Sequence, residues 1–323
     1  MKAAVLGQLG KPPRFEEFAE PTANGADEVV IRVRAASLKP VDKQMAAGSH
    51  YASPCALPVI CGMDGVGELE DGTRVFFGGA RRPYGGMAER TVVPRAFCFP
   101  APAGAGAMDD ATLAALPNPG VSAWLTLAHR AKLAAGESIL ILGATGITGQ
   151  LALQIAKLLG AARVVAAGRN QTVLDRLSKM CADATIQLSE DSDSLKQAFT
   201  REAGESGFDV VIDYLWGKPT EILLSALTRS EFAPVTKETR LVQVGESAGP
   251  TISLPAALLR STAITIMGTA GMPPREILMD AMQQVMARGA RGELRIETEK
   301  IPLSDVEQAW QREDRGRRIV LIP

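Results

Sequence analysis

The residues with the most specific chemistry lie in the run Gly143-Ala144-Thr145-Gly146-Ile147-Thr148-Gly149. It follows Ser138-Ile139-Leu140-Ile141-Leu142, which reads as a buried strand. It opens the apolar helical stretch Leu151 to Leu159, closed by Gly160. A glycine turn set between strand and helix is the context that gives such a spacing meaning. Gly146 lets the backbone approach a pyrophosphate and Gly149 lets the helix pack close to the strand. The free amides and positive end of the helix then face the phosphates. Thr145, Gly146, Ile147 and Gly149 are therefore candidate dinucleotide-binding residues, with a purely structural turn as the alternative.

A second strand, Arg163-Val164-Val165-Ala166-Ala167, ends in Gly168-Arg169-Asn170. A site for NAD places Asp or Glu here, against the ribose hydroxyls. Arg169 instead offers a guanidinium that can pair with a 2′-phosphate and stack on adenine. NADPH is the expected cofactor, with Arg169 and Asn170 at its adenosine end; a solvated surface arginine is the competing reading.

Elements of two kinds must position these residues. Up to about residue 118 the chain reads as short strands between Gly and Pro, among them Glu28–Val33, Gly72–Phe77 and Ala88–Val93. Helix and strand then alternate: a helix over Val121–Leu133, the strands named above, and further strands at Phe208–Asp213 and Arg240–Gly245. Alternation of this kind specifies an α/β, doubly wound parallel sheet. Beyond about residue 270 the sequence predicts a helix over Arg275–Arg288 and strands at Leu294–Glu297 and Arg318–Ile322. Ala101–Ala107 reads as a connecting loop.

Composition removes several function classes. Lys and Arg number 35 against 36 Asp and Glu, a net charge of −1, which provides no field to attract nucleic acid. The opening residues Met1–Gly7 read as a strand rather than a signal peptide, and no apolar run is long enough to span a bilayer. A cytoplasmic location is expected. Cys55, Cys61, Cys98 and Cys181 form no CxxC pair and read as free thiols. His50 and His129 lie far apart and no G-x-S-x-G occurs, which argues against a Ser-His-Asp hydrolase.

The order and spacing of several motifs resemble the quinone oxidoreductase-like branch of the zinc-independent medium-chain dehydrogenases/reductases, over nearly the whole chain. They include Lys39-Pro40-Val41-Asp42, Leu57–Gly67, Tyr84–Glu89, Leu116–Trp124, Gln154–Lys157, Cys181–Ile186 and Gly316–Leu321. The resemblance implies a Rossmann doubly wound parallel sheet over 119–269 and a β-rich, partly open barrel-like (GroES-like) catalytic domain. The latter is discontinuous, over 1–118 and 270–323. It also implies a cleft between the two and commonly a homodimer. Where zinc-dependent relatives carry Cys near Leu38 and His-Glu at Met63-Asp64, this chain offers poor ligands, and the Cys-rich insertion after Val93 is missing. No metal site is expected. Further departures are Lys39 for an Asn of the branch, Leu188 for a Tyr, and Arg169 in place of a Ser-x-x-Lys.

Without a metal to stabilise an alkoxide, hydride delivery to an electron-poor acceptor is the easier chemistry. The expected function is NADPH-dependent reduction of a small electrophile, a quinone or an α,β-unsaturated carbonyl. The resemblance places Lys39 and Tyr51, with Ser37 flanking, near the nicotinamide as catalytic candidates. Each has a surface or packing alternative. Asp42 reads as fixing the loop. Ser122, Gly245 and Gly268 are further cofactor candidates. Tyr214-x-x-x-Lys218 matches a short-chain dehydrogenase pair, but Gly217 and Pro219 argue against the helix that pair requires. Rival functions are an enoyl-thioester or 2-alkenal reductase, the thioester needing a basic rim such as Arg315–Arg318, and a catalytically weak NADPH-binding sensing or structural protein.

Overall fold

The computed structural model describes residues 1–102, 108–228, 237–269, 271, 273–312 and 316–323. The expected loop Ala101–Ala107 falls largely outside them. Its two units comprise Met1–Asn118 with Met286–Pro323, and Pro119–Val285. The return to the first unit thus falls within the continuous helix Arg275–Ala290, later than the position near residue 270 expected from the sequence.

The first unit opens with β1 (Lys2–Leu6), β2 (Arg14–Glu17) and β3 (Glu28–Ser37), then β4 (Val59–Ile60), β5 (Asp64–Glu68), β6 (Arg74–Gly78), β7 (Arg90–Pro94) and β8 (Cys98–Pro100). β3 is ten residues long and alternates: Val29, Ile31 and Val33 are buried while Arg32 and Arg34 face water. Its first half pairs antiparallel with β7, from Glu28 opposite Pro94 to Arg32 opposite Arg90. β1 pairs with β2 on one side and β4 on the other.

The second unit contributes β9 (Ser138–Leu142), β10 (Arg163–Gly168), β11 (Ala184–Gln187), β12 (Val210–Asp213), β13 (Thr239–Gln243) and β14 (Ile264–Gly268). All pairings are parallel, in the order β11-β10-β9-β12-β13-β14. Burial on both faces explains the unbroken Ile-Leu-Ile-Leu and Val-Val-Ile runs of β9 and β12. Chain order reverses between β9 and β12, which makes the carboxyl ends of these strands the topological switch point of the sheet.

The chain returns to the first unit with β15 (Thr298–Pro302) and β16 (Arg318–Ile322), a parallel pair. β16 lies antiparallel to the end of β3, Val320 opposite Ser37, extending that sheet to the order β15-β16-β3-β5-β6-β8. The strand expected at Leu294–Glu297 is displaced to Thr298–Pro302. Alternation in Leu-Arg-Ile-Glu suits a strand, but the ladder to β16 begins at Thr298 opposite Arg318. The helix expected at Val121–Leu133 is instead Pro117–Trp124 continued by a π-helical segment, Leu125–Arg130.

One cap in this unit carries a pH signature. Asp109 accepts from the Thr112 amide at 2.8 Å, capping the helix Asp110–Ala115, and pairs with Lys300 at 2.7 Å. Partial burial would raise its pKa, but the bonds from Lys300 and Thr112 outweigh it and hold it at about 2, against 3.8 ordinarily. A depressed folded-state value means a contribution present above the unfolded pKa and lost as pH falls through the folded one. Asp109→Ala is expected to cost about 1 kcal/mol near neutrality. In urea denaturation the gap to wild type should close between about pH 4 and about pH 2.

Candidate active site

In the second unit the expected glycine turn joins β9 to the helix Ile147–Leu158, whose N-cap is Gly146. Gly143 takes a left-handed φ of 85°, and the amides of Gly143 and Ala144 both donate to the Ala167 carbonyl of β10 at 2.9 Å. Gly146 is exposed and, as N-cap, offers no side-chain acceptor to the first-turn amides of this twelve-residue helix. A Cβ on Gly149 would press on the Gly143 carbonyl oxygen and sit 2.7 Å from Ala144 Cα; only glycine permits this approach of helix to turn. Thr145 is half-buried beside Gly168, where an added Cβ would sit 2.7 Å from its Oγ1. These are the features of a phosphate cradle.

Arg169, just past β10, is exposed and has no hydrogen bond or ion pair among the described residues. Asn170 has a structural role, since its side-chain oxygen accepts from the Val173 amide at 3.2 Å and caps the helix Gln171–Met180. Its amide nitrogen remains for other partners. Gly245 follows β13 with its Cα so close to the loop after β12 that an added Cβ would be 2.6 Å from the Tyr214 carbonyl oxygen. Gly268 ends β14 in open space and accepts from Arg130 Nε. Ser122 is half-buried on the helix Pro117–Trp124, and its carbonyl accepts from Thr126 Oγ1 at 2.8 Å.

Two residues that the sequence did not single out as site residues shape the switch-point loop. Asp213, buried at the end of β12, accepts from the amides of Leu215 and Trp216 and from Thr220 Oγ1 at 2.6–2.9 Å. Burial raises its pKa despite those bonds. It pins a turn in which Trp216 holds a positive φ of 54°. The buried Tyr214 hydroxyl has no hydrogen-bond partner among the described residues, and burial pushes its pKa up. Tyr214 stands beside the glycine turn, its Cβ 3.1 Å from where a Cβ on Gly143 would be, and a buried hydroxyl without a partner is a place for a polar ligand in this unit. The expectation of no helix after Tyr214 is corrected: Gly217–Leu227 is helical, because Pro219 falls in the first turn, where a missing N–H costs nothing. Tyr214 precedes that helix and Lys218 pairs with Glu221 at 3.7 Å, so the two do not form a helical pair.

In the first unit, Lys39 is the centre of a buried polar group. It caps the helix Pro40–Ala47, its amide donating to Asp42 Oδ2 at 2.9 Å. Its ammonium donates to Asp64 Oδ1 at 2.8 Å, to the Ser37 carbonyl at 3.0 Å and to Ser37 Oγ at 3.2 Å, with Asp42 Oδ2 at 3.4 Å. Asn118 donates to the other Asp64 oxygen at 3.1 Å, and the Met63 amide to Asp42 Oδ1 at 3.2 Å. Lys39, Asp42 and Asp64 are 2–4% exposed. Burial alone would lower the Lys39 pKa, but the two carboxylates outweigh it and raise it, so the ammonium keeps its charge. Burial, reinforced by Asp42, raises Asp64 against the pull of Lys39. Tyr51 stands apart from this group, 97% exposed, its ring 4.1 Å from that of His50.

Zinc does not fit these residues. Leu38 and Met63 offer no thiolate or imidazole, and an ammonium already lies between the two carboxylates. Among the described residues no group of three or more His, Cys, Asp or Glu is arranged to hold a metal ion. Of the Arg315–Arg318 run, Arg315 lies outside the described residues, Arg317 pairs with Glu297 at 3.3 Å, and buried Arg318 donates to the Leu38 carbonyl. No described helix is long and apolar enough to cross a membrane.

A parallel sheet with an uncapped glycine turn at its switch point, in a chain that also has a strand-rich unit closed by the chain's return, is the architecture of nucleotide-dependent oxidoreductases. The family models agree. Residues 25–103 match the alcohol dehydrogenase GroES-like domain, and residues 148–287 match the zinc-binding dehydrogenase domain. The chain is 30% identical over 277 residues to quinone oxidoreductase-like protein 2 of Bos taurus, covering 83% of this chain and 74% of that protein. It is 31% identical over 204 residues to a 2-methylene-furan-3-one reductase of Solanum lycopersicum, covering 58% and 49%. The quinone oxidoreductase of Thermus thermophilus, solved also with NADPH, superposes with a TM-score of 0.79 at 29% identity over the whole of both chains. The chain belongs to the medium-chain dehydrogenase/reductase family, in its quinone oxidoreductase-like branch.

Proposed function

We propose that this chain is an NADPH-dependent reductase that delivers hydride to a quinone or an α,β-unsaturated carbonyl without a metal ion. The observation that carries the reaction type is the buried Lys39–Asp64–Asp42 group. With an ammonium in place of ligands there is nothing to lower an alcohol's pKa, whereas an electron-poor acceptor needs only hydride and a donor for the developing oxyanion. When bound, NADPH supplies the hydride; with one proton it converts a quinone to a hydroquinone, or an enone to the saturated carbonyl, leaving NADP⁺. The amides around Gly146 and Ile147 bind the diphosphate, Arg169 the 2′-phosphate, and Gly245 and Gly268 keep backbone clear for the cofactor. Lys39, with its donors committed within the group, is a positioning residue that holds the segment Leu38–Asp42 against β5. Exposed Tyr51 is the candidate for acceptor contact. The name of the tomato relative supports conjugated carbonyls alongside quinones. A cytoplasmic homodimer acting on a small molecule completes the proposal.

Arg169→Asp tests it. Charge-assisted bonds to a phosphate are worth about 1.5–3 kcal/mol. The KM for NADPH should therefore rise roughly 10–100-fold, with NADH affected far less. Acceptors are 1,4-benzoquinone, 9,10-phenanthrenequinone and 2-hexenal, before and after metal stripping. An unchanged KM for NADPH removes Arg169 from the site, and activity that returns only with added zinc overturns the metal-free reaction.

A further inference from the structure

Within the first unit Leu6, Met45, Ala46, Val59, Cys61 and Met63 help wall a pocket of about 170 Å³. Asp42, Tyr84 and Arg82 are the polar residues with charged or hydroxyl side chains among those that line it. Two of them are committed. Asp42 is held by Lys39 and the Met63 amide, and the Tyr84 hydroxyl donates to the Glu20 carbonyl at 3.1 Å. Arg82 is not: it is exposed, with no hydrogen bond or ion pair among the described residues. Its neighbour Arg81 is engaged by Glu28 at 2.8 Å and by the Thr22 carbonyl at 2.7 Å. Cys61 on the pocket wall stands near both charges, Asp42 raising the thiol's pKa and Arg82 opposing it more weakly.

We propose that Arg82 makes this pocket selective for acceptors bearing an anionic substituent, a carboxylate above all, on a small flat apolar body. The proposal rests on the reductase reading for the word acceptor, not for the binding. A guanidinium matches a carboxylate with two parallel hydrogen bonds, and an apolar wall on one side strengthens them by excluding water. The volume is below that of pockets for drug-sized ligands, so the apolar body is of ring size. Asp42 shares the Lys39 ammonium with Asp64 and is held away from other partners by it, whereas Arg82 is the charged residue of the lining with no ion-pair partner among the described residues. Cys61 does not compete for an electrophile: burial pushes its thiol up to about 12, so it stays protonated and a poor nucleophile.

The test titrates the intact protein, without cofactor, by calorimetry with two unreactive probes, 2-naphthoate and 2-naphthamide. Wild type should bind the acid at least about tenfold more tightly than the amide. Arg82→Gln should weaken the acid roughly 10–100-fold and erase the preference. Because Arg82 is exposed, the substitution leaves the core untouched, and a melting curve checks that. Equal affinity of wild type for both probes, or an undiminished preference in the variant, overturns the proposal. Turnover then separates the two readings, using 3-benzoylacrylate and its methyl ester with NADPH. The ratio of their kcat/KM values should fall about tenfold in Arg82→Gln. Probe discrimination without turnover leaves the anion pocket standing and removes the reductase, whereas turnover without discrimination does the reverse.

Discussion

Lys39→Met is expected to destabilise the first unit by about 3–5 kcal/mol, the cost of removing one partner from a buried ion pair. The ammonium is 2% exposed and answers two carboxylates, Asp64 at 2.8 Å and Asp42 at 3.4 Å. Methionine fills much of the volume but leaves both charges with too few donors. Among the described residues Asp64 then keeps only Asn118, and Asp42 only backbone amides. The pH dependence identifies the cause. Asp64 already has a raised pKa, chiefly from burial, and loss of Lys39 raises it further. A carboxyl whose folded pKa exceeds its unfolded one binds more protons in the folded state, so stability rises as pH falls. The deficit of the variant, read as the first transition in thermal or urea unfolding, should be larger at about pH 8 than at about pH 5. Lys39→Met/Asp64→Leu should recover part of the loss, because an apolar pair replaces an ion pair at little cost. A deficit below about 1 kcal/mol, or one that ignores pH, would show that the group contributes no more than surface pairs do.

That group also marks how far the sequence can be read. The β9–turn–helix unit is local: strand, three glycines and helix are contiguous, and each rule that predicts them acts within about ten residues. The place of Arg169, just past β10, is legible for the same reason, by its distance from the turn. Lys39 and Asp64 are 25 residues apart, and their meeting depends on the end of β3 lying beside β5. Periodicity says nothing about that register, so Lys39 reads as a free polar group although it is committed. The carboxylate at Asp213 is a different case: its partners Leu215, Trp216 and Thr220 all lie within seven residues, and an Asp that ends a strand and turns the next amides onto itself is the local signal that marks it. The strand expected at Leu294–Glu297 fails for the opposite reason. Its alternation is genuine, but a parallel strand exists only where a partner is in register, and β16 supplies that from Thr298 onward.

Gly149→Val is expected to abolish measurable NADPH binding, at least about 100-fold in Kd, and to lower stability by about 1–3 kcal/mol as an overpacked site. The obstacle is backbone: the Gly143 carbonyl oxygen and Ala144 Cα, 2.7 Å from the added Cβ, cannot rotate away as a side chain would. Ala144 is bonded through its amide to the Ala167 carbonyl, so the turn is anchored to β10 and the helix Ile147–Leu158 must move instead. A helix displaced from the turn no longer aims its first amides at a diphosphate. Gly146→Ala separates the two consequences. Its φ of −75° suits any residue, and the added Cβ would meet only the Gly143 carbonyl oxygen at 3.3 Å, so the fold should hold. The methyl group would instead stand on the exposed rim of the turn, where a phosphate has to approach. NADPH fluorescence titration with a melting curve on each variant should give lost binding with lost stability for Gly149→Val. For Gly146→Ala it should give weakened binding at near-native stability. If Gly146→Ala binds NADPH as wild type does, the phosphates do not approach this turn, and the cradle is a packing device for the helix alone.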